Sequence, residues 1–279
     1  MKKSVLLWLI AFVLTVLTAV YQRMTGPTYP ISGEVTISGN LIEYKLDRTH
    51  GGEGDHPIEI SVEDETICGE FIWKRYKTND EWSSIEMKRK DKKLIAFLPH
   101  QPPAGKLVYH IILQKNEEVV NLPADGEVIM RFKGDVPIYF LIPHIIFIFG
   151  AMLLSTRTGL EYFNEGKKFK SLTILTFIFV IIGGFIFGPI VQKYAFGAFW
   201  TGFPFGHDLT DNKILIGFIG WLLALIAIYK FKNPKRWIVF ASILMFIIFL
   251  IPHSLLGSEL NYNELDNKTK SDVQLNTIE

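Results

Sequence analysis

The sequence predicts a membrane α-helical bundle of five transmembrane helices with an inserted outer-side all-β sandwich domain. Three observations lead there. Long apolar runs alternate with charged stretches in a chain of 279 residues that is 49% hydrophobic and 14% aromatic. The block between the first two runs switches to short alternating patterns. Basic residues gather in alternate connections between the runs.

A helix needs about 20 apolar residues to cross a hydrocarbon core, somewhat fewer where flanking residues reach the interface. The expected spans are Val5 to Val20, Val136 to Leu154, Leu172 to Val191, Ile214 to Tyr229 and Trp237 to Pro252. Lys2 and Lys3 ahead of the first run also suit a signal peptide. Thr18-Ala-Val-Tyr-Gln-Arg23 offers no clean small-x-small cleavage site, so residues 1–22 are read as an uncleaved anchor.

Direction follows from the cations. Lys2 and Lys3 precede span one; Arg157, Lys167, Lys168 and Lys170 lie between spans two and three; Lys230, Lys232, Lys235 and Arg236 lie between four and five. Lys and Arg are retained in the cytoplasm, which places the N-terminus there. The 30–135 domain, the 192–213 loop and the 254–279 polar tail are then extracytoplasmic. A bacterial-type inner membrane is the expected location, with residues 136–253 as a four-helix bundle behind the anchor.

From Ile31 to Lys133, runs such as Glu34-Val-Thr-Ile-Ser, Leu41-Ile-Glu-Tyr-Lys-Leu, Pro57-Ile-Glu-Ile-Ser-Val and Lys106-Leu-Val-Tyr-His-Ile-Ile-Leu alternate and are bounded by turn residues. They predict an antiparallel sandwich. Phe71-Ile-Trp-Lys-Arg-Tyr-Lys, Trp82, Met87 and Ala96-Phe-Leu-Pro resemble an immunoglobulin or fibronectin type III-like module, which specifies no function. One cysteine, Cys68, excludes an intramolecular disulfide and a cysteine-cluster metal site. His50-Gly-Gly-Glu-Gly-Asp-His56 brings two imidazoles and two carboxylates into one short loop, a set suited to a divalent metal. The plainer reading is a hairpin connection whose glycines permit positive φ.

Lys+Arg 29 against Asp+Glu 28 leaves a formal charge of +1, which suggests no nucleic-acid partner. No Walker loop, Rossmann glycine fingerprint, His-Glu-x-x-His run or Ser/His/Asp order is present, so intrinsic catalysis is not expected.

The segment after span three is rich in rings: Tyr194, Phe196, Phe199, Trp200, Phe203 and Phe205, interspersed with Gly197, Gly202 and Gly206. Aromatic rings favour the membrane interface, and glycines allow close backbone approach. Asp208 and Asp211 then stand where carboxylates can cap the fourth span. The predicted topology puts His144, His207 and His253 on the outer side, with Pro143 and Pro252 preceding two of them. An ionisable ring at bilayer depth is a functional candidate, and neutral imidazole ligates haem iron, copper and zinc. A hydrogen bond to a neighbouring helix is the plainer role for each.

Ala195-Phe-Gly-Ala-Phe-Trp200, followed by Asp208, Lys213 and the apolar span through Trp221, resembles the tryptophan-rich WWD segment of the haem-handling proteins of cytochrome c maturation. The likeness covers residues 183–229. It implies Phe199 and Trp200 as a haem platform, Asp208 at the acidic position, and His144 and His253 as axial ligands. This loop has one Trp where that family has several, and Gly202-Phe-Pro-Phe-Gly-His separates Trp200 from Asp208.

Three functions are therefore expected in competition. The first is an outer-face haem protein acting in cytochrome assembly or as a respiratory-complex subunit. The second is a copper or zinc transporter or metalloenzyme with His144, His207 and His253 as ligands. The third is a non-catalytic, membrane-anchored interaction subunit with a membrane or periplasmic protein partner.

Overall fold

The computed structural model describes residues 2–252 and 255–268. The chain divides into two compact units: Met1–Pro27 with Asp135–Ser258, and Thr28–Gly134 with the chain from Glu259.

The first unit is helical. Its elements are α1 (Lys2–Thr25), α2 (Ile138–Leu160) with a 3₁₀ turn (Glu161–Asn164), α3 (Phe169–Val180), a π-helical segment (Ile181–Phe187), α4 (Gly188–Phe196), α5 (Leu209–Lys230) and α6 (Lys235–Leu250). Among the described residues, four helices are long and apolar enough to cross a membrane: Lys3–Thr25, Ile138–Asn164, Phe169–Phe196 and Leu209–Lys230. The fifth expected span coincides with α6, whose 16 residues extend about 24 Å. In three of the four long helices only 22% of the apolar window is buried, and rings and branched chains such as Phe12, Leu17 and Ile146 face outward. An exterior this apolar suits lipid rather than water.

Helix packing rests on small residues. Gly217 and Gly220 of α5 sit against Met245 and Leu244 of α6, and a Cβ at Gly217 would come within 2.8 Å of the Met245 sulfur. Ala151, Met152, Trp221, Ala224, Ile238 and Ala241 fill the centre. The tight approach gains dispersion contacts that a larger residue would block.

The two ends of the bundle differ. At one, Arg157 reaches Ser4 at the start of α1, Lys170 lies 5.0 Å from the Tyr229 ring centroid, and Gly166 abuts the Lys235 stem. This end gathers the basic connections. At the other, Gln22 binds the Phe249 carbonyl, Lys213 donates to the Ile251 carbonyl at 2.9 Å, and the Leu209 amide donates to the Leu256 carbonyl at 3.1 Å.

One expectation is corrected here. Arg157 is not a loop cation, because α2 continues six residues past the expected end at Leu154, and Arg157 is fully buried within it. Glu161, one turn on and equally buried, lies 2.7 Å away and supplies the countercharge that lets the helix continue.

The second unit is built on strands β1 (Ile31–Ile37), β2 (Asn40–Leu46), β3 (Thr49–Gly51), β4 (His56–Ser61), β5 (Cys68–Arg75), β6 (Ser83–Glu86), β7 (Lys88–Lys90), β8 (Lys93–Leu98), β9 (Lys106–Lys115), β10 (Glu118–Leu122) and β11 (Val128–Lys133). They form a β1–β2 pair, a six-stranded sheet ordered β3-β11-β9-β5-β6 with β10 also on β9, and a three-stranded sheet β4-β8-β7. Ser38 and Gly39, both at positive φ, close the β1–β2 hairpin in two residues. The β3–β11 pairing is parallel, unlike the antiparallel arrangement expected throughout. Alternate residues such as Ile42, Tyr44 and Leu46, or Ile58 and Ile60, point into a core shared with Phe71, Leu94, Leu98, Leu107, Ile111 and Phe132. Cys68 is exposed and unbridged.

The chain from Glu259, within the expected polar tail, belongs to the sheet-rich unit. Asn261 and Glu264 exchange hydrogen bonds at the start of a helical stretch, 262–268, in the manner of a capping box. Tyr262 is buried, and its hydroxyl accepts from the Lys106 amide at 3.0 Å. Burial pushes its pKa up to about 12. Glu259 bridges Lys77 and Lys106 at 2.8 and 2.6 Å, and Arg75 grips Asp80 and Asp266.

Candidate functional site

The aromatic segment and the first turn of α5 fold as one piece. Asp208 is the N-cap: its carboxylate accepts from the Thr210 amide at 2.7 Å, and from the Ser258 amide and hydroxyl at 2.7 and 2.9 Å. Capping satisfies amides that the helix itself leaves unpaired. Asp211 does something different from the capping expected of it. It lies inside the helix, buried, and one carboxylate oxygen accepts from the Thr201 amide at 2.6 Å and the Gly202 amide at 3.0 Å. Gln192 adds a bond at 3.0 Å from the end of span three. Asn212 accepts from the Phe203 amide at 2.7 Å, and Lys213, also buried, reaches the Ile251 carbonyl. Gly202 is required at this contact, since a Cβ there would meet the Asp211 Cβ at 2.6 Å.

The rings divide into two groups. Trp200 stacks on Phe185 of the π-helical segment, centroids 5.7 Å apart and planes 20° apart, and donates from Nε1 to the Phe203 carbonyl at 3.0 Å. Phe185 in turn meets Phe218, which stacks on Phe177, so the ladder runs into the bundle. Phe199, Phe203 and Phe205 are exposed, Phe205 at 82%. They form the apolar outer surface of the loop.

His144 stands in α2 directly after Pro143, half-buried, with Nδ1 3.0 Å from the Gly183 carbonyl. A carbonyl only accepts, so the proton sits on Nδ1 and the lone pair on Nε2. The π-helical turn aims that carbonyl, and its glycines permit it: a Cβ at Gly183 would come within 2.9 Å of the Ile148 amide nitrogen of α2. Sequence reasoning passed over this turn, although Gly183-Gly184 inside an apolar run is its visible signal. His207 is exposed, and His253 lies outside the described residues. Among the described residues, no hydrogen bond or ring contact joins His144 to Trp200, His207 or Asp208. Nor, among them, is there a group of three or more His, Cys, Asp or Glu arranged to hold a metal.

A second polar cluster escaped the sequence reading. Around the Arg157–Glu161 pair, Thr158 and Thr176 lie 3.2 Å apart, Ser242 donates to the Ser155 carbonyl at 2.9 Å, and Asn164 and the Lys168 amide donate to Glu161, each at 3.1 Å. The spacing Arg157-x-x-x-Glu161 was the signal, one helical turn in register.

No protein-family model matches the chain, and no curated protein matches it. The fold itself defines the class: a chain with, among its described residues, four helices long and apolar enough to cross a membrane and a separate sheet-rich unit.

Proposed function

We propose that the protein is a membrane-anchored binding subunit. In this reading five helices, α6 being the fifth, hold it in a bacterial-type inner membrane with the N-terminus cytoplasmic. The sheets form a sandwich on the outer side and engage a membrane or periplasmic protein partner. Gathering of the basic connections at one end of the bundle supports the orientation, because the charge bias persists after Arg157 is withdrawn from it. The observation that carries the reading is the first turn of α5. Asp208, Asp211, Asn212 and Lys213 tie the first turn of α5 to the loop and to the segment after α6, so the most functional-looking residues of the sequence serve to build an anchor. Exposed Phe199, Phe203 and Phe205 suit the membrane interface. Mild-detergent extraction from native membranes, with cross-linking and mass spectrometry, should recover a stable partner attached through residues 30–135. Recovery as a solitary monomer would refute this reading.

A haem site at His144 is a second reading, favoured by one observation: the Gly183 carbonyl holds the imidazole in the tautomer that presents Nε2 as a ligand. In it His144 and His253 would hold the iron, Trp200 and Phe199 would lie against the porphyrin, and Asp208 keeps its structural place. Protein from haem-replete cells should then show a Soret band that His144→Ala abolishes. A colourless preparation excludes it.

A further inference from the structure

We propose that His50 and His56, in the sheet-rich unit, form a binding site for a divalent transition-metal cation such as zinc or copper. The site is independent of the function proposed above.

His50 sits in β3, paired with Phe132 of β11, and His56 opens β4. The connection between them turns on Gly52 and Gly54, at φ 89° and 88°, values that favour glycine. This turn brings the imidazoles together edge to edge, with Nδ1 to Nδ1 at 3.1 Å, centroids 4.9 Å apart and planes tilted by 57°. His50 Nε2 is hydrogen-bonded to the Gly54 carbonyl at 3.1 Å, and His56 Nε2 lies 3.6 Å from the Asp47 carboxylate, beyond hydrogen-bond reach.

The Gly54 carbonyl only accepts, so His50 carries its hydrogen on Nε2 and turns the Nδ1 lone pair toward His56. In the neutral pair His56 donates from Nδ1 to that lone pair at 3.1 Å. A metal cation between the two Nδ1 atoms takes the place of that one hydrogen, which moves to His56 Nε2 on the Asp47 side.

Geometry favours a metal in that place. Two zinc–nitrogen bonds of about 2.0–2.1 Å at a tetrahedral angle hold their nitrogens about 3.3 Å apart, close to the separation here. Metal-bound histidines characteristically donate the other ring N–H to a carbonyl or carboxylate, which is the pattern of His50, and His56 has the Asp47 carboxylate 3.6 Å from its Nε2. The edge of His50 against Phe132, centroids 5.7 Å apart, fixes its orientation, and the His56 side chain is only 12% exposed. With two protein ligands the remaining positions fall to water.

The test uses the full chain in detergent micelles, stripped by chelator, titrated with Zn(II) by calorimetry and with Cu(II) by electron paramagnetic resonance. One equivalent should bind, and the copper spectrum of the unmutated protein should show coupling to two imidazole nitrogens. His50→Ala and His56→Ala should each abolish that binding, Asp47→Asn should weaken it about tenfold, and His144→Ala should leave it unchanged. Failure of unmutated protein to bind either metal would overturn the proposal. So would binding that survives in the His50→Ala, His56→Ala double variant, or nitrogen NMR showing a proton shared between the two rings while added zinc leaves both unmoved.

Discussion

The helical unit encloses five charged groups, whereas the ion pairs of the sheet-rich unit lie at or near its surface. In the first, charged groups are withdrawn from solvent: Arg157 and Glu161 are fully buried, and Asp208, Asp211 and Lys213 nearly so. Their partners are each other, backbone atoms of the helix start and the neighbouring loops, and the side chains of Ser258 and Gln192. In the second, Arg75, Lys77, Lys106, Asp80 and Glu259 lie at the surface or half-buried, and their ion pairs join the tail to the sheet. A charge enclosed by apolar groups has no water to fall back on when its partner is lost, whereas a surface pair exchanges its partner for solvent. Charges of the helical unit should therefore govern stability, and those of the other unit only the attachment of one segment.

Arg157 offers the sharpest way to break that contrast. Replacing it with Leu leaves the Glu161 carboxylate buried without its countercharge, and should cost about 3–5 kcal/mol in unfolding from micelles. Replacing both residues, Arg157→Leu with Glu161→Leu, should restore most of the loss. If the single variant unfolds like the unmodified protein, the pair is not enclosed as described. Asp211→Ala comes next. It strands the Thr201 and Gly202 amides, and the expected cost is about 2–3 kcal/mol together with faster proteolysis across 197–207. Asp208→Ala should cost about 1 kcal/mol, the ordinary value of an N-cap.

How far the sequence disclosed this contrast depends on the period of each pattern. Strands β1, β2, β4 and β9 were legible because one face is apolar, and alternation records that directly. The apolar spans were legible because lipid leaves backbone groups no other partner. Arg157 was misjudged for a physical reason: hydropathy treats a cation as the end of a span, while a carboxylate one turn later cancels it. Asp208 was read correctly as a cap, but Asp211 was not, because nothing local shows that a loop folds back ten residues to meet it. The inward face of His56 toward His50 depends on two glycines whose positive φ was foreseeable and whose closure distance was not.

The smallest expected effect tests the surface side of the comparison. Glu259 has an ordinary carboxyl value of 4.5; burial alone would raise it, but hydrogen bonds from Lys106 and Lys77 hold it lower. Asp80 is likewise held low beside Arg75. A carboxyl whose folded value lies below its unfolded one contributes its full stabilisation above the unfolded value, and loses it as pH falls through the folded one. Attachment of the tail should thus be unchanged from pH 7 down to about pH 5 and weaken below pH 4.5. Tyr262 does not titrate in this range, since its value is pushed up to about 12, so acid loosens the segment without removing its apolar anchor. Hydrogen exchange of the 259–268 amides, corrected for intrinsic rates, should rise between pH 5 and pH 3.5. Glu259→Gln should raise it at pH 7 by no more than about fivefold, the equivalent of roughly 1 kcal/mol for a surface pair. The α5 amides should show no corresponding change on Glu259→Gln. A parallel change in both units would mean that surface and enclosed charges are coupled, and the contrast between them would fail.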